Sequence, residues 1–402
     1  MARGGMIGRI CVLAATVASV LAAAAAAASG ASAAPRAVTP AVYTQTNLPS
    51  GNAVIWFTRS RSGALTQVRA YPTGGLGAPN SHSHFPITDS SRSLVINPQR
   101  TLLFVVNHGS GSITSFRIRA NGGLQRANVA PSGGTGPASL AIRADGLLYV
   151  VNEAPPARIR GFHVTAGGLM VPISGATRTL AYPNSSPGQV GFDRSGRFLV
   201  VTDRFGGTSE ADQDYFEIFR LSRAGLPTAL PPVRSVPPEP YAFAFTSRNE
   251  MIVADAANNA PGASFTSSYL FGGGGGLTPV KAEPTGQSAG CWIAITKDDR
   301  FAFVTSGFST TVLSYSLSRG GGFKNISPAG ATPLSGIGGD VALTSGSDFL
   351  YALNIDPKLV NMDLSARSDI DAYRVGRNGS LTRIGTFAMG QLPFTSSGLA
   401  AL

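Results

Sequence analysis

The chain has 402 residues, 43% hydrophobic and only 13% charged, with 49 glycines and a formal net charge of +11. Its basic residues are scattered singly, without the concentrated stripe that nucleic-acid binding needs, so nucleic acid is not an expected partner. Two cysteines exclude a disulfide-built scaffold.

The N-terminus must be set aside before the fold is considered. Arg3 and Arg9 precede an apolar run over residues 10–28, followed by Ser29-Gly30-Ala31-Ser32-Ala33-Ala34-Pro35. A positive start, an apolar middle and an Ala31-x-Ala33 site describe a secretory signal peptide over residues 1–33. The alternative is a retained anchor, since the run is nearly long enough to span a bilayer. Its alanine-heavy composition is weakly hydrophobic, so the expectation is cleavage, a periplasmic or secreted location and no membrane association afterwards. Cys11 lacks the small-apolar box of a lipoprotein signal. Removing two arginines and no acids from 32 basic and 21 acidic residues leaves +9 over residues 34–402. Only Cys291 remains in that segment, and it is expected to be a small buried residue.

Along residues 41–402 a unit repeats. An aromatic recurs in alternating segments at Phe57, Phe116, Phe162, Phe219, Tyr269, Tyr315 and Tyr373. Past a glycine-containing turn, each is followed by Leu65, Leu124, Leu169, Leu226, Leu277, Phe323 or Leu381. Turns such as Asn121-Gly122-Gly123 and Asn378-Gly379-Ser380 supply the positive φ that tight hairpins demand, so each unit contains a hairpin. Before each hairpin lies a strand, mostly a continuous apolar run, at residues 42–47, 102–107, 147–152, 198–203, 250–255, 301–306 and 349–354. Such runs suit strands buried on both faces. Shorter strands precede six of them, at residues 93–97, 139–143, 189–193, 242–246, 292–296 and 341–344.

Four strands per unit, repeated seven times at propeller spacing, predict an all-β, seven-bladed β-propeller in one domain over residues 34–402. The first unit lacks an innermost strand, while the chain ends in Ser397-Gly398-Leu399-Ala400-Ala401-Leu402. That tail is expected to complete the first blade and close the ring, leaving no open edge at the seam.

Specific segments then carry a resemblance. Ala41-Val42-Tyr43-Thr44-Gln45-Thr46-Asn47, Gly51-Asn52-Ala53-Val54, Gly63-Ala64-Leu65-Thr66, Pro72-Thr73-Gly74-Gly75 and Pro284-Thr285-Gly286-Gln287-Ser288-Ala289-Gly290-Cys291-Trp292-Ile293 resemble exported lactonase-family propellers over essentially all of residues 41–402. Relatives carrying labels such as 6-phosphogluconolactonase or 3-carboxymuconate cyclase imply lactone opening or closing. Fold alone does not establish that chemistry.

In propellers of this order, the loops entering inner strands and those leaving second strands share the face at the channel mouth. The second strands end there on Asn47, Asn107, Asn152, Asp203, Asp255, Ser306 and Asn354, with His108, Glu153 and Arg204 beside them. The loop before the second blade adds His82, His84 and Arg92. Lactone hydrolysis needs a base for water, a donor for the oxyanion and an acid for the leaving alkoxide. His84, His108, Glu153 and Arg204 are the candidate catalytic set. The family resemblance implies His, Glu and Arg on a comparable face, and His82-Ser83-His84 resembles a His-x-His of the phosphogluconolactonase branch, though its surroundings depart from that branch.

Glu210, Asp212 and Asp214 alternate in a long loop but lack an EF-hand's glycine and distant glutamate, so a solvated loop is expected. No phosphate loop, dinucleotide fingerprint or serine nucleophile elbow is found, and neither a cofactor nor a metal is expected. Two functions follow: a metal-independent lactone hydrolase or cycloisomerase taking a small lactone or acidic ligand, or a non-catalytic propeller binding a surface polymer, peptide or protein.

Overall fold

Strands such as Leu102–Asn107 (LLFVVN) and Leu147–Asn152 (LLYVVN) carry only large aliphatic and aromatic side chains before the last, so both faces must be covered by neighbouring sheets. In the computed structural model all residues of both are buried. The structure describes residues 38–78, 90–204, 214–327, 331–358 and 365–402. The signal-peptide segment, His82, His84, Glu210 and Asp212 lie outside the described residues.

Seven antiparallel sheets stand in sequence around one ring, each with four strand positions from the channel outward. Blade two runs Leu94–Ile96, Leu102–Asn107, Ser112–Ile118 and Leu124–Pro131, and blades three to seven repeat it. In blades four and six the outermost position is split into two short pieces, Pro227–Ala229 with Val233–Arg234 and Phe323–Asn325 with Thr332–Pro333. The core is therefore a series of layers between blades. Phe57, Phe116, Phe162, Phe219, Tyr269, Tyr315 and Tyr373 all lie on third strands and are at most 1% exposed.

The seven outer hairpins share one geometry. A backbone N–H donates to the carbonyl four residues on, from Ser60 to Ala64, Arg119 to Gly123, Thr165 to Leu169, Ser222 to Leu226, Gly272 to Gly276, Ser318 to Gly322 and Gly376 to Ser380. The residue before each acceptor is a glycine at positive φ, for example Gly63 at +94° and Gly225 at +74°. A Cβ on Gly63 would come within 2.6 Å of Phe349 in the preceding blade, so space and φ both require glycine there. This register corrects two expected partners. Leu169 and Leu226 are 51% and 37% exposed, and the outer strands of blades three and four begin one residue later, on the buried Met170 and Pro227. Each leucine is the last position of a turn of the common length, one residue ahead of the buried partner.

Inner strands begin earlier than expected, at Pro137, Ser186, Pro240, Gly290 and Ile337 in blades three to seven. Each carries a register shift near its start, as between Pro187 and Gln189 or Pro240 and Ala242. The extra residue breaks the period-two pattern, which hides the first part of the strand from a reading by alternation.

Tyrosines tie blade to blade. Tyr43 Oη donates to the Gly122 carbonyl at 2.6 Å, Tyr149 to Gly225 at 2.5 Å and Tyr351 to Gly63 at 2.8 Å. Each joins a second strand to the hairpin glycine of the next blade, the last one across the seam. There Ser397–Ala401 pairs antiparallel with Ala41–Gln45, matching Val42 with Ala401 and Thr44 with Leu399. The Thr44 hydroxyl adds a 2.7 Å bond to the Gly398 carbonyl.

Deleting residues 397–402 is expected to lower the denaturation midpoint by the equivalent of several kcal/mol, since it bares two blades at once. Tyr351→Phe, which removes a single bond across the seam, is expected to cost about 1 kcal/mol. Chemical denaturation of both variants checks the pair; an unchanged midpoint after truncation would show that the tail does not carry closure.

Candidate functional site

The polar residues that end the second strands do not form an open rim. Asn47, Asn107, Asn152, Asp203, Asp255, Ser306 and Asn354 are all at most 1% exposed. Asn47 Oδ1 accepts from the Ala78 N–H at 2.9 Å, and Asn107 Nδ2 donates to Ser112 and Thr114 hydroxyls at 3.1 and 2.9 Å. Asn354 Nδ2 donates to the Ser335 hydroxyl at 3.0 Å. The side chains of Asn47, Asn107 and Asn354 thus hold strand ends and linkers together.

His108 and Glu153 follow Asn107 and Asn152 in adjacent blades, and the structure brings them together. His108 Nε2 lies 2.6 Å from Glu153 Oε1, with the side chains 12% and 2% exposed. The Glu153 N–H donates to the Gly136 carbonyl at 2.9 Å, fixing the glutamate over the linker between the blades. Gly136 has φ +65°, and a Cβ there would lie 2.9 Å from His108 Nε2. The linker must be bare for the pair to meet. His108 Nδ1 and Glu153 Oε2 are enclosed and make no hydrogen bond with the described residues. Buried polar atoms are normally satisfied, so these two, together with both amide atoms of Asn152 next to Glu153, mark this as a place for a further polar group.

Arg204 is held elsewhere, between blades four and five. It is 1% exposed; its Nε donates to the Ser186 carbonyl at 3.1 Å, its guanidinium lies 4.2 Å over the Tyr241 ring, and Nη1 is 3.7 Å from Glu239 Oε1. Acids crowd around it. Burial, with the Glu217 charge added, pushes Asp203 well above the usual carboxylate range. Burial, reinforced by Asp214 and Glu239, does the same to Asp255. One buried cation thus faces several carboxylates that resist ionisation. Glu217, Glu239 and Tyr241 escaped the sequence reading: Glu217 alternates within a third strand and Glu239 sits before a bulge, so neither falls on the strand-end pattern that exposed Glu153.

Arg92 follows a segment that crosses the channel mouth. The Ser90 hydroxyl donates to the Ala138 carbonyl of blade three at 2.7 Å, and the Ser91 N–H to Gly188 of blade four at 2.9 Å. The Ser90 carbonyl accepts from the Trp292 indole of blade six at 3.1 Å. Arg92 itself, at φ +64°, turns its side chain down the channel, away from the mouth residues with which its sequence position grouped it. Near it, burial raises Asp340 to about 6, although the Val341 and Leu399 N–H groups both donate to it.

A carboxyl raised by folding binds a proton that the unfolded chain releases. The stabilisation is complete below the ordinary carboxylate value and is lost as pH rises through about 6. The change amounts to about 3 kcal/mol. Asp340→Asn is expected to flatten the fall in stability between pH 4 and 7, as read from urea midpoints; an identical slope in both proteins would remove Asp340 from that dependence.

A closed ring of seven four-stranded blades, with a histidine–glutamate pair on the face where second strands end, defines a β-propeller built to carry a site at its channel mouth. Residues 93–292 match the family model described as lactonase, 7-bladed beta-propeller. Over that stretch, just under half of the chain, the sequence is that of the lactonase family of propellers. The periplasmic gluconolactonase of Pseudomonas aeruginosa is similar, at 17% identity and TM-score 0.67 over 90% of this chain and 99% of that one. A candidate 6-phosphogluconolactonase of Bacteroides fragilis aligns at 14% identity and TM-score 0.65, over 90% and 98% of the two chains. A protein of Lactobacillus plantarum aligns at 14% and 0.67, over 90% and 99%. At such identities the likeness is one of fold. No curated protein sequence matches the chain. No helix among the described residues is long and apolar enough to cross a membrane.

Proposed function

We propose that this propeller hydrolyses a lactone at its channel mouth, with His108 as the proton-transferring group and Glu153 as its orienting partner. The observation that supports the reading is the 2.6 Å contact between His108 Nε2 and a buried Glu153, in the stretch that matches the lactonase family. With Nε2 committed to the carboxylate, Nδ1 is the nitrogen without a hydrogen-bond partner among the described residues, and in this reading it is the one that meets the reactant.

In this reading a water loses its proton to His108 Nδ1 as its oxygen bonds to the lactone carbonyl carbon. The carbonyl electron pair moves to oxygen, and a hydrogen-bond donor there lowers the barrier. Collapse of the tetrahedral intermediate breaks the ring C–O bond, and the imidazolium returns its proton to the departing alkoxide. The product is a hydroxy acid. Glu153 holds the ring orientation and stabilises the transient imidazolium, as a carboxylate behind a catalytic histidine does in hydrolases generally. Of the other two candidates, Arg204 is buried between blades four and five and serves the polar cluster there, and His84, outside the described residues, stays a candidate second histidine. The signal-like segment at residues 1–33 supports action outside the cytoplasm.

A panel of γ- and δ-lactones tests the activity. His108→Gln and Glu153→Gln are expected to lower kcat by about 10²- to 10⁴-fold with the fold retained, while Asn121→Ala in an outer hairpin leaves turnover unchanged. Turnover of no lactone, or activity intact in both variants, would hand the face to the binding-module reading. Mass determination of exported protein is expected to place its N-terminus near Ala34; an intact 10–28 segment would favour an anchor.

A further inference from the structure

Below the segment that crosses the mouth, the channel remains open. Six of the seven inner strands end on a large apolar residue, Ile96, Ile142, Phe192, Phe245, Ile295 and Leu343, and every one is half-buried and lines the channel cavity. The cavity consists of two volumes of about 380 and 370 Å³ that share Arg92, Ala244 and Phe245, so they meet around the arginine. Pro98, Ala144 and Ser195, which also line it, lie in turns between inner and second strands. Those turns are on the face opposite His108 and Glu153, since antiparallel neighbours reverse direction at each end.

Arg92 stands at the junction of the two volumes. Its side chain is exposed, yet that exposure is to the channel, and burial holds its guanidinium below its ordinary value. Among the described residues it has no side-chain hydrogen bond or ion pair. Asp340 is near enough to favour its charge, but each Asp340 carboxylate oxygen already accepts a backbone N–H, from Val341 at 2.9 Å and Leu399 at 3.2 Å. A cation with donors to spare therefore stands where two lobes meet; the side chains lining the lobe of Ile96, Ile295 and Leu343 are apolar apart from Ser91, Arg92 and Asp340, while Arg143, Asp193 and Arg194 also line the other.

We propose that this blind channel is a second binding site, separate from the mouth, for a small amphiphilic carboxylate whose head pairs with Arg92 and whose apolar body lies along the ring of inner-strand ends. A planar guanidinium offers a carboxylate two parallel N–H donors, and the shielded setting strengthens that pairing. The apolar wall contributes through each CH2 it removes from water. A cavity of this size, with apolar side chains and a few convergent polar groups, is the usual form of a small-molecule site.

Octanoate and octanol, titrated into the full chain by calorimetry, separate head from body. Octanoate is expected to bind once per chain and at least tenfold more tightly than octanol. Arg92→Met should weaken octanoate at least tenfold and leave octanol unaffected. Ala401→Trp, which adds bulk to the channel wall, should weaken both ligands while circular dichroism stays as in the parent. Failure of octanoate to bind the full chain, equal affinity for octanol, or parent-like octanoate binding by both folded variants would each overturn the proposal. None of these readouts depends on whether a lactone is turned over.

Discussion

The antiparallel pairing of Ser397–Ala401 with Ala41–Gln45 is the constraint on which the rest depends. Blades one and seven each bury a face only if the ring is shut, and an unclosed ring would expose a strand edge along the channel. The seam is built with side chains as well as strands. Gln45 Nε2 donates to the Ser397 hydroxyl at 3.1 Å and the Ser93 hydroxyl at 3.0 Å, so the second blade is tied to the same joint. Leu399 in turn donates its N–H to Asp340 of blade seven. Four parts of the chain, far apart in sequence, meet within one small region of the inner wall.

Closure separates two environments. At one face the second strands end in buried polar residues, and the positions just beyond them place His108 against Glu153. At the other, inner strands finish on apolar residues around an open lumen. The crossing at Ser90 and Ser91, pinned to blades three, four and six, divides one from the other. A pore that ran straight through would leave the pair and Arg92 in one solvent; the crossing gives each its own surroundings. It also explains why Arg92, placed by sequence beside mouth residues, acts on the opposite side.

The fold was legible because its determinants are local and repeated. The aromatic at Phe57, Phe116 and their equivalents, the glycine three residues into each turn and the buried second strands recur at every blade. What escaped was whatever broke a period. Bulges hid the starts of inner strands, and Leu169, the last position of a turn of the common length, stood one residue ahead of Met170, the buried partner. Of the candidate site, the rule that residues beyond second-strand ends share a face found His108 and Glu153. Their meeting depended on Gly136 in the linker, which no spacing reveals. The partners of Arg204 come from two other strand positions, and the route of residues 90–92 across the ring is a long-range fact carried by hydrogen bonds to three distant blades.

The central claim is that the His108–Glu153 pair is where a lactone reacts. The most direct measurement is a crystal structure of the full chain with a bound lactam, the unreactive nitrogen analogue of a lactone. The account predicts a lactam ring at the mouth within hydrogen-bonding reach of His108 Nδ1, with Glu153 still on Nε2. A lactam bound elsewhere, with the pair unoccupied, would contradict it.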